Sequence, residues 1–181
     1  METYISILRG INVSGHRKIE MAGLKALYEE LKFKEVVTYI QSGNVIFKTG
    51  ETSAGSILKT IEKAIADRYH FHVPVIVRSL PEMARIISAN PFLKENDIDI
   101  EKLHVTFLAE APEFSKIESL KNVQHPPDKF IIAENDIYLY CPGGYGNTKL
   151  SNNFFENKLK VTATTRNWKT VNKLVGLAKS T

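Results

Sequence analysis

The sequence is poor in cysteine and contains no long hydrophobic run. Cys141 is its only cysteine and cannot form an internal disulfide, which fits a reducing cytoplasm. No stretch approaches the roughly 20 apolar residues of a membrane span, and the apolar run Ile5–Leu8 is far too short for a signal-peptide core. We therefore expect a soluble, cytoplasmic protein with no membrane-inserted segment.

The sequence also lacks the motifs of the common enzyme classes. It has no Gly-x-Ser-x-Gly elbow, no Cys-x-x-Cys pair and no dinucleotide fingerprint, and no pair of carboxylates stands out for acid–base catalysis. His70 and His72 are spaced so that they could offer two imidazoles from one strand face, but a metal site needs at least a third ligand. We therefore expect no metal and no cofactor. The sequence identifies no catalytic residue and sets no oligomeric state.

Positive charge is concentrated near the C-terminus. The net charge of the chain is +4, whereas residues 143–181 carry +6, with Glu156 as their only acid. Such asymmetry suggests an anionic partner, for example nucleic acid, for this part of the chain. The alternative is a solvated helix surface, because helix surfaces are usually charged.

Short apolar runs alternate with helical stripes in an order that occurs twice. The first 78 residues are predicted as strand, helix, strand, strand, helix, strand, which is the ferredoxin-like or split βαβ unit. The order begins again near His104, but a helix over Arg166–Ala178 is predicted in place of the closing strand. We therefore expect an α+β fold of duplicated ferredoxin-like halves with antiparallel sheets, the second half ending in helices. The expected boundaries are 1–79 for the first half, 80–102 for a connecting helix and acidic linker, and 103–181 for the second half.

The first candidate site is the glycine-containing corner Arg9–Lys18 between a strand and a helix. Its two glycines have P-loop spacing, but His16 and Arg17 stand where Lys and Ser/Thr are required, which excludes a true nucleotide P-loop. Backbone N–H groups with Arg9, Arg17 or Lys18 nearby could still hold a phosphate or carboxylate. The alternative is a strand–helix turn whose basic residues are solvated.

A second corner, Pro142–Lys149, also leaves a strand and enters a helix. Its glycines would let a ligand approach the backbone, and Lys149 supplies charge. The alternative is a mobile loop before a helix capped by Asn153. Thr165 is predicted to cap the last helix, which would place Arg166 in its first turn, as at an anion-binding helix start.

Three separated motifs resemble those of a known family. The residues are Leu8–Val13, Tyr39–Val45, and a C-terminal run containing Thr148–Asn152, Phe154–Leu159 and Ala163–Trp168. They resemble the bacterial domain-of-unknown-function family 1697, whose members often have glycine at positions 14 and 160 and a basic residue at 147. The resemblance implies two ferredoxin-like halves and no particular reaction, cofactor or partner.

The sequence thus favours a binding protein for an anionic, phosphate- or carboxylate-bearing ligand at the glycine-containing corners. Alternatives are an enzyme of unknown reaction with a site between the halves, a nucleic-acid-binding protein, and a protein-interaction module. The turn Gln41–Asn44 joins the candidate site, although its polar side chains could simply satisfy turn backbone groups. The candidate ligand-binding residues are Arg9, Asn12, Lys18, Gln41, Asn44, Tyr145, Lys149, Arg166 and Asn167.

Overall fold

The computed structural model describes all residues, 1–181, and divides them into two compact units. The first unit comprises Met1–Arg85 with Lys173–Thr181, and the second comprises Ile86–Asn172. Each unit contains one four-stranded antiparallel sheet. None of the helices has both the length and the apolar character needed to cross a bilayer.

The first unit has the predicted element order. Its elements are β1 (Glu2–Leu8), α1 (Met21–Glu30), β2 (Lys34–Tyr39), β3 (Asn44–Thr49), α2 (Ala54–Tyr69) and β4 (Val75–Ser79), followed by α3 (Leu80–Ser88). The strand order in the sheet is β2-β3-β1-β4. The predicted hairpin turn between β2 and β3 is confirmed, and Gly43 adopts a φ of +84° there, a left-handed conformation that glycine accepts readily.

The core of the first unit lies between its sheet and its two long helices. α1 buries Leu24, Leu27 and Tyr28 at helical spacing, and α2 buries Ile57, Ile61 and Ile65. The Tyr28 hydroxyl shares a 2.7 Å hydrogen bond with Ser6, and burial raises the pKa of Tyr28. This packing holds the ends of β1 and α1, where the candidate residues lie.

The second unit repeats the topology of the first. After two short 3-10 helices come β5 (Leu103–Leu108), α4 (Phe114–Glu118), β6 (Lys129–Ala133), β7 (Asp136–Tyr140), α5 (Asn152–Leu159) and β8 (Ala163–Asn167). The last helix, α6 (Trp168–Ser180), begins in the second unit, and its residues from Lys173 onwards belong to the first. The strand order β6-β7-β5-β8 matches that of the first sheet, element for element. The α+β fold with two similar halves and C-terminal helices is therefore confirmed.

One prediction about the second half is wrong, because a strand rather than a helix closes its sheet. β8 pairs with β5, so that Arg166 lies opposite Val105, and the Thr165 hydroxyl shares a 2.7 Å hydrogen bond with Thr106. The β-branched threonines suit a strand. The last helix begins at Trp168, where the Asn167 side chain accepts a hydrogen bond from the Thr170 N–H at 2.8 Å.

Candidate functional site

Asn12 joins the loop after β1 to the turn between β2 and β3. Its Nδ2 donates to the carbonyls of Ile19 at 2.9 Å and Gln41 at 2.8 Å, and its Oδ1 accepts from the Ile19 N–H at 2.9 Å. Asn12 has a φ of +55°, which asparagine tolerates better than most residues. Because these bonds occupy its amide, Asn12 fixes the shape of the corner.

A cavity of about 730 Å³ opens beside this loop, within the first unit. It brings together three of the residues predicted from the sequence, Asn12, Lys18 and Gln41. The Lys18 side chain is exposed and makes no ion pair, and the Gln41 side-chain amide makes no hydrogen bond within the protein. Both groups are therefore available to a ligand in this cavity.

The N-terminus of α1 supplies further hydrogen-bond donors to the same cavity. Glu20 occupies the cap position without accepting a hydrogen bond through its side chain. The first intrahelical bond runs from the Leu24 N–H to the Glu20 carbonyl at 2.9 Å, so the amides of the three residues before Leu24 have no partner in the protein. Two of these residues, Met21 and Gly23, line the cavity, and the positive end of the helix dipole lies there.

Sequence reasoning missed Tyr69 and Gly23 as parts of this cavity. Tyr69 is the last residue of α2, and its hydroxyl lies so close to Gly23 that a Cβ added there would be 2.9 Å from the hydroxyl oxygen. This hydroxyl makes no hydrogen bond within the protein. The sequence did contain one signal, because a glycine such as Gly23 in the first turn of a helix often marks a place where another group packs closely against the helix.

Glu20 is the one acidic residue that lines the cavity. Its carboxylate is exposed and forms no ion pair, so it opposes an anion only through solvent-screened repulsion. The cavity thus combines one cation, Lys18, with the uncapped N-terminus of α1. The Gln41 amide, the Tyr69 hydroxyl and the solvent-screened Glu20 carboxylate complete its polar lining.

Two other predicted residues of the first unit lie outside this cavity. The Arg9 backbone N–H donates to the Pro74 carbonyl at 2.9 Å, and its side chain is half-buried. Asn44 is fully buried, and its Nδ2 donates to the Tyr39 carbonyl at 2.9 Å and to the Ser42 hydroxyl at 3.1 Å. Asn44 therefore satisfies backbone groups of the turn, which was the alternative interpretation of this residue.

The second corner forms a separate and smaller cavity in the second unit. Lys149 lines this cavity of about 250 Å³ with Gly143 and Gly144 and with the loop His125–Asp128. The Asp128 carboxylate accepts a 2.6 Å hydrogen bond from the Thr148 hydroxyl. The helix that follows is capped by Ser151, not by the predicted Asn153: the Ser151 Oγ accepts from the Phe154 N–H at 3.2 Å.

The remaining predicted residues of the second unit have structural contacts. The Tyr145 ring stacks on His104 at 4.9 Å, and burial lowers the pKa of His104. Arg166 is buried on β8, where its guanidinium donates to the Thr164 hydroxyl and the Thr165 carbonyl, both at 3.0 Å. The prediction that Arg166 lies in a first helical turn is therefore wrong. Burial lowers the pKa of Arg166 to about 10.

The other sequence-based candidates have unremarkable surroundings. His70 and His72 are exposed, and the structure brings no three potential metal ligands together. Cys141 is buried, as predicted, and burial raises the pKa of its thiol to about 11.

The chain is similar to other proteins both in sequence and in structure. The model of a family described as protein of unknown function (DUF1697) matches residues 1–138. The solved structure of the conserved bacterial protein SP0830 from Streptococcus pneumoniae aligns with a TM-score of 0.76 and 22% sequence identity, covering 98% of both chains. At this identity, the similarity shows the fold alone. No curated protein matches the sequence.

Proposed function

The chain belongs to the family described as protein of unknown function (DUF1697), and we propose that it binds a small phosphate- or carboxylate-bearing molecule in the cavity of its first unit. The observation that carries the proposal is the convergence of Lys18, Gln41 and Tyr69 on the uncapped N-terminus of α1. Helix N-termini favour anions because their free N–H groups point towards the ligand and the dipole adds positive potential.

Each group at the cavity has a distinct role in this proposal. Lys18 supplies charge, which at about 4 Å from an anion in water contributes on the order of 1 kcal/mol. The first amides of α1 and the Tyr69 hydroxyl supply directed hydrogen bonds, each worth about 1.5–3 kcal/mol when the acceptor is charged. Asn12 acts through the loop that it holds, since its own amide is already occupied.

The second corner supports the same chemistry less well. Its cavity contains the half-buried Asp128, and the helix that follows has its N-terminus capped by Ser151. The first amides of α1, by contrast, have no cap. We therefore assign the primary site to the first unit. The enzyme, nucleic-acid-binding and protein-interaction functions stay predictions.

The proposal is tested by thermal-shift titration of the whole chain with inorganic phosphate and with citrate. At a phosphate concentration about tenfold above Kd, binding stabilises the folded protein by roughly 1.4 kcal/mol, which corresponds to a melting shift of roughly 3–6 °C. Lys18→Met should weaken binding by about fivefold to tenfold. Glu20→Gln should strengthen binding by roughly threefold, because it removes a negative charge from the cavity.

The matched control is Lys59→Met, because Lys59 is also an exposed, unpaired lysine of the first unit but lies outside the cavity. It should bind phosphate and citrate as the wild type does. Equal affinities of the Lys18 and Lys59 variants for both anions would contradict the assignment. A single-stranded oligonucleotide at two salt concentrations provides the nucleic-acid comparison, for which binding should weaken steeply with salt.

A further inference from the structure

The second unit contains an apolar cavity of about 700 Å³ that is separate from the lysine-containing cavity of the first unit. α4 and the turn after it contribute Ile117, Leu120 and Val123, and β6 contributes Phe130 and Ile132. This volume lies within the range of roughly 300–1,000 Å³ found for small-molecule sites, which are mostly apolar with a few polar groups.

The cavity exists because α4 is short. In the first unit, α1 has 10 residues and buries Leu24, Leu27 and Tyr28. The topologically equivalent α4 has 5 residues, none of them buried. Phe130 and Ile132 on β6 are consequently only half-buried, although both pack against the core of the unit. Apolar surface that a longer helix would cover is left facing the cavity.

Aromatic rings connect two sides of the cavity. His125 lies edge-to-face on Phe154 at 5.6 Å, Phe154 contacts Phe155 at 5.1 Å, and Phe155 contacts Phe130 at 5.5 Å. The two ends of this chain, His125 and Phe130, both line the cavity. Aromatic rings favour offset or edge-to-face contact with further rings, so the lining suits an aromatic ligand.

The polar rim contains two side chains that make no hydrogen bond or ion pair within the protein, His125 and Gln124, and His125 is the ionisable one. Lys129 pairs with Glu95 at 2.9 Å, and Lys121 lies 3.8 Å from Glu118. The His125 imidazole, in contrast, makes no hydrogen bond within the protein. Its backbone is fixed, because the Asp128 N–H donates to the His125 carbonyl at 2.9 Å.

We propose that this cavity binds an aromatic molecule of roughly two or three rings that carries one acidic group. The rings pack between Val123, Phe130 and Ile132, and the acidic group accepts a hydrogen bond from His125. This site shares no residue with the Lys18-containing cavity, so the two proposals can be tested independently.

The test is fluorescence titration of the full chain with 8-anilinonaphthalene-1-sulfonate, an aromatic probe with one sulfonate. The wild type should show saturable binding. Val123→Phe fills the cavity and should weaken binding at least about tenfold. His125→Phe keeps the ring contact with Phe154 but removes the hydrogen bond, and should weaken binding by roughly fivefold.

Val161→Phe is the matched control, because Val161 is also half-buried against the same core but does not line the cavity. It should bind the probe within about twofold of the wild type, as should Lys18→Met. Circular dichroism and the urea midpoint establish that each variant is folded. Ile132→Phe fills the cavity from the β6 side and replaces Val123→Phe if that variant does not fold.

The proposal is overturned if the wild type shows no saturable binding, or if the folded cavity-filling variant, Val123→Phe or its replacement Ile132→Phe, keeps the wild-type affinity. It is also overturned if Lys18→Met abolishes probe binding, because the probe would then occupy the first unit. Loss of phosphate binding by the Lys18 variant with intact probe binding would leave both proposals standing.

Discussion

Replacing Gly43 with alanine should destabilise the first unit substantially. Gly43 has a φ of +84°, and an alanine forced into a left-handed conformation costs roughly 1–2 kcal/mol. Its Cβ would lie 2.6 Å from Ile11 Cδ1 and 3.0 Å from Leu8 Cβ, both of which are buried. Overpacking of this kind costs about 1–3 kcal/mol.

The turn cannot easily move away from the clash. The Gly43 carbonyl accepts from the Leu8 N–H at 2.9 Å, and the Gly43 N–H donates to the Ile40 carbonyl at 3.3 Å. The two costs therefore add to a loss of about 2–5 kcal/mol in the free energy of unfolding. Urea denaturation followed by circular dichroism measures this loss, provided that the denaturation slope is unchanged.

Gly176 provides the matched glycine, because it lies inside α6 and a Cβ there meets no atom within 4 Å. Gly176→Ala should stabilise the protein by up to about 1 kcal/mol through helix propensity. A loss below about 1 kcal/mol for Gly43→Ala would refute the reasoning, since it would mean that the turn relaxes without strain.

Two further predictions concern the site and the pH dependence. Gly23→Ala should be coupled to Tyr69→Phe by about 0.5–1 kcal/mol in a double-mutant cycle, because the added Cβ meets the Tyr69 hydroxyl at the end of its side chain. Equal urea midpoint changes in both backgrounds would contradict this contact. Burial lowers the pKa of His104, so the unfolded chain takes up this proton first as the pH falls below the ordinary value of 6.5. The stability contributed by neutral His104 is therefore lost as the pH falls through its folded pKa. The His104→Phe variant keeps a ring stacked on Tyr145, and its free energy of unfolding should fall less than that of the wild type between about pH 7 and pH 5. An identical fall in both proteins would show that another group controls this range.

Most of the fold could be predicted because its signals are local. The apolar spacing of α1 and α2 and the glycine of the β2–β3 turn each depend on a few neighbouring residues. β8 could not be predicted in the same way. Its strand state depends on pairing with β5, and the contact between Thr165 and Thr106 spans 59 positions in the sequence.

The candidate sites divide in the same way. The proximity of Asn12, Lys18 and Gln41 could be predicted because β1 and β3 are antiparallel neighbours, which places the end of β1 beside the start of β3. The place of Tyr69 in the cavity could not be predicted, because helical spacing assigns Tyr69 to the apolar side of α2 but does not show where its hydroxyl lies. The apolar cavity was also missed, because it results from the difference in length between α4 and α1.

The hydrogen bonds made by Asn12 have a thermodynamic consequence for any ligand that binds in the cavity of the first unit. Two of its three side-chain hydrogen bonds brace its own loop at Ile19, and the third joins that loop to Gln41 in the β2–β3 turn. The loop that carries Lys18 therefore loses little conformational entropy when a ligand binds, and preorganisation of this kind favours binding. Asn12 would thus raise the affinity of the protein for this ligand without contacting it.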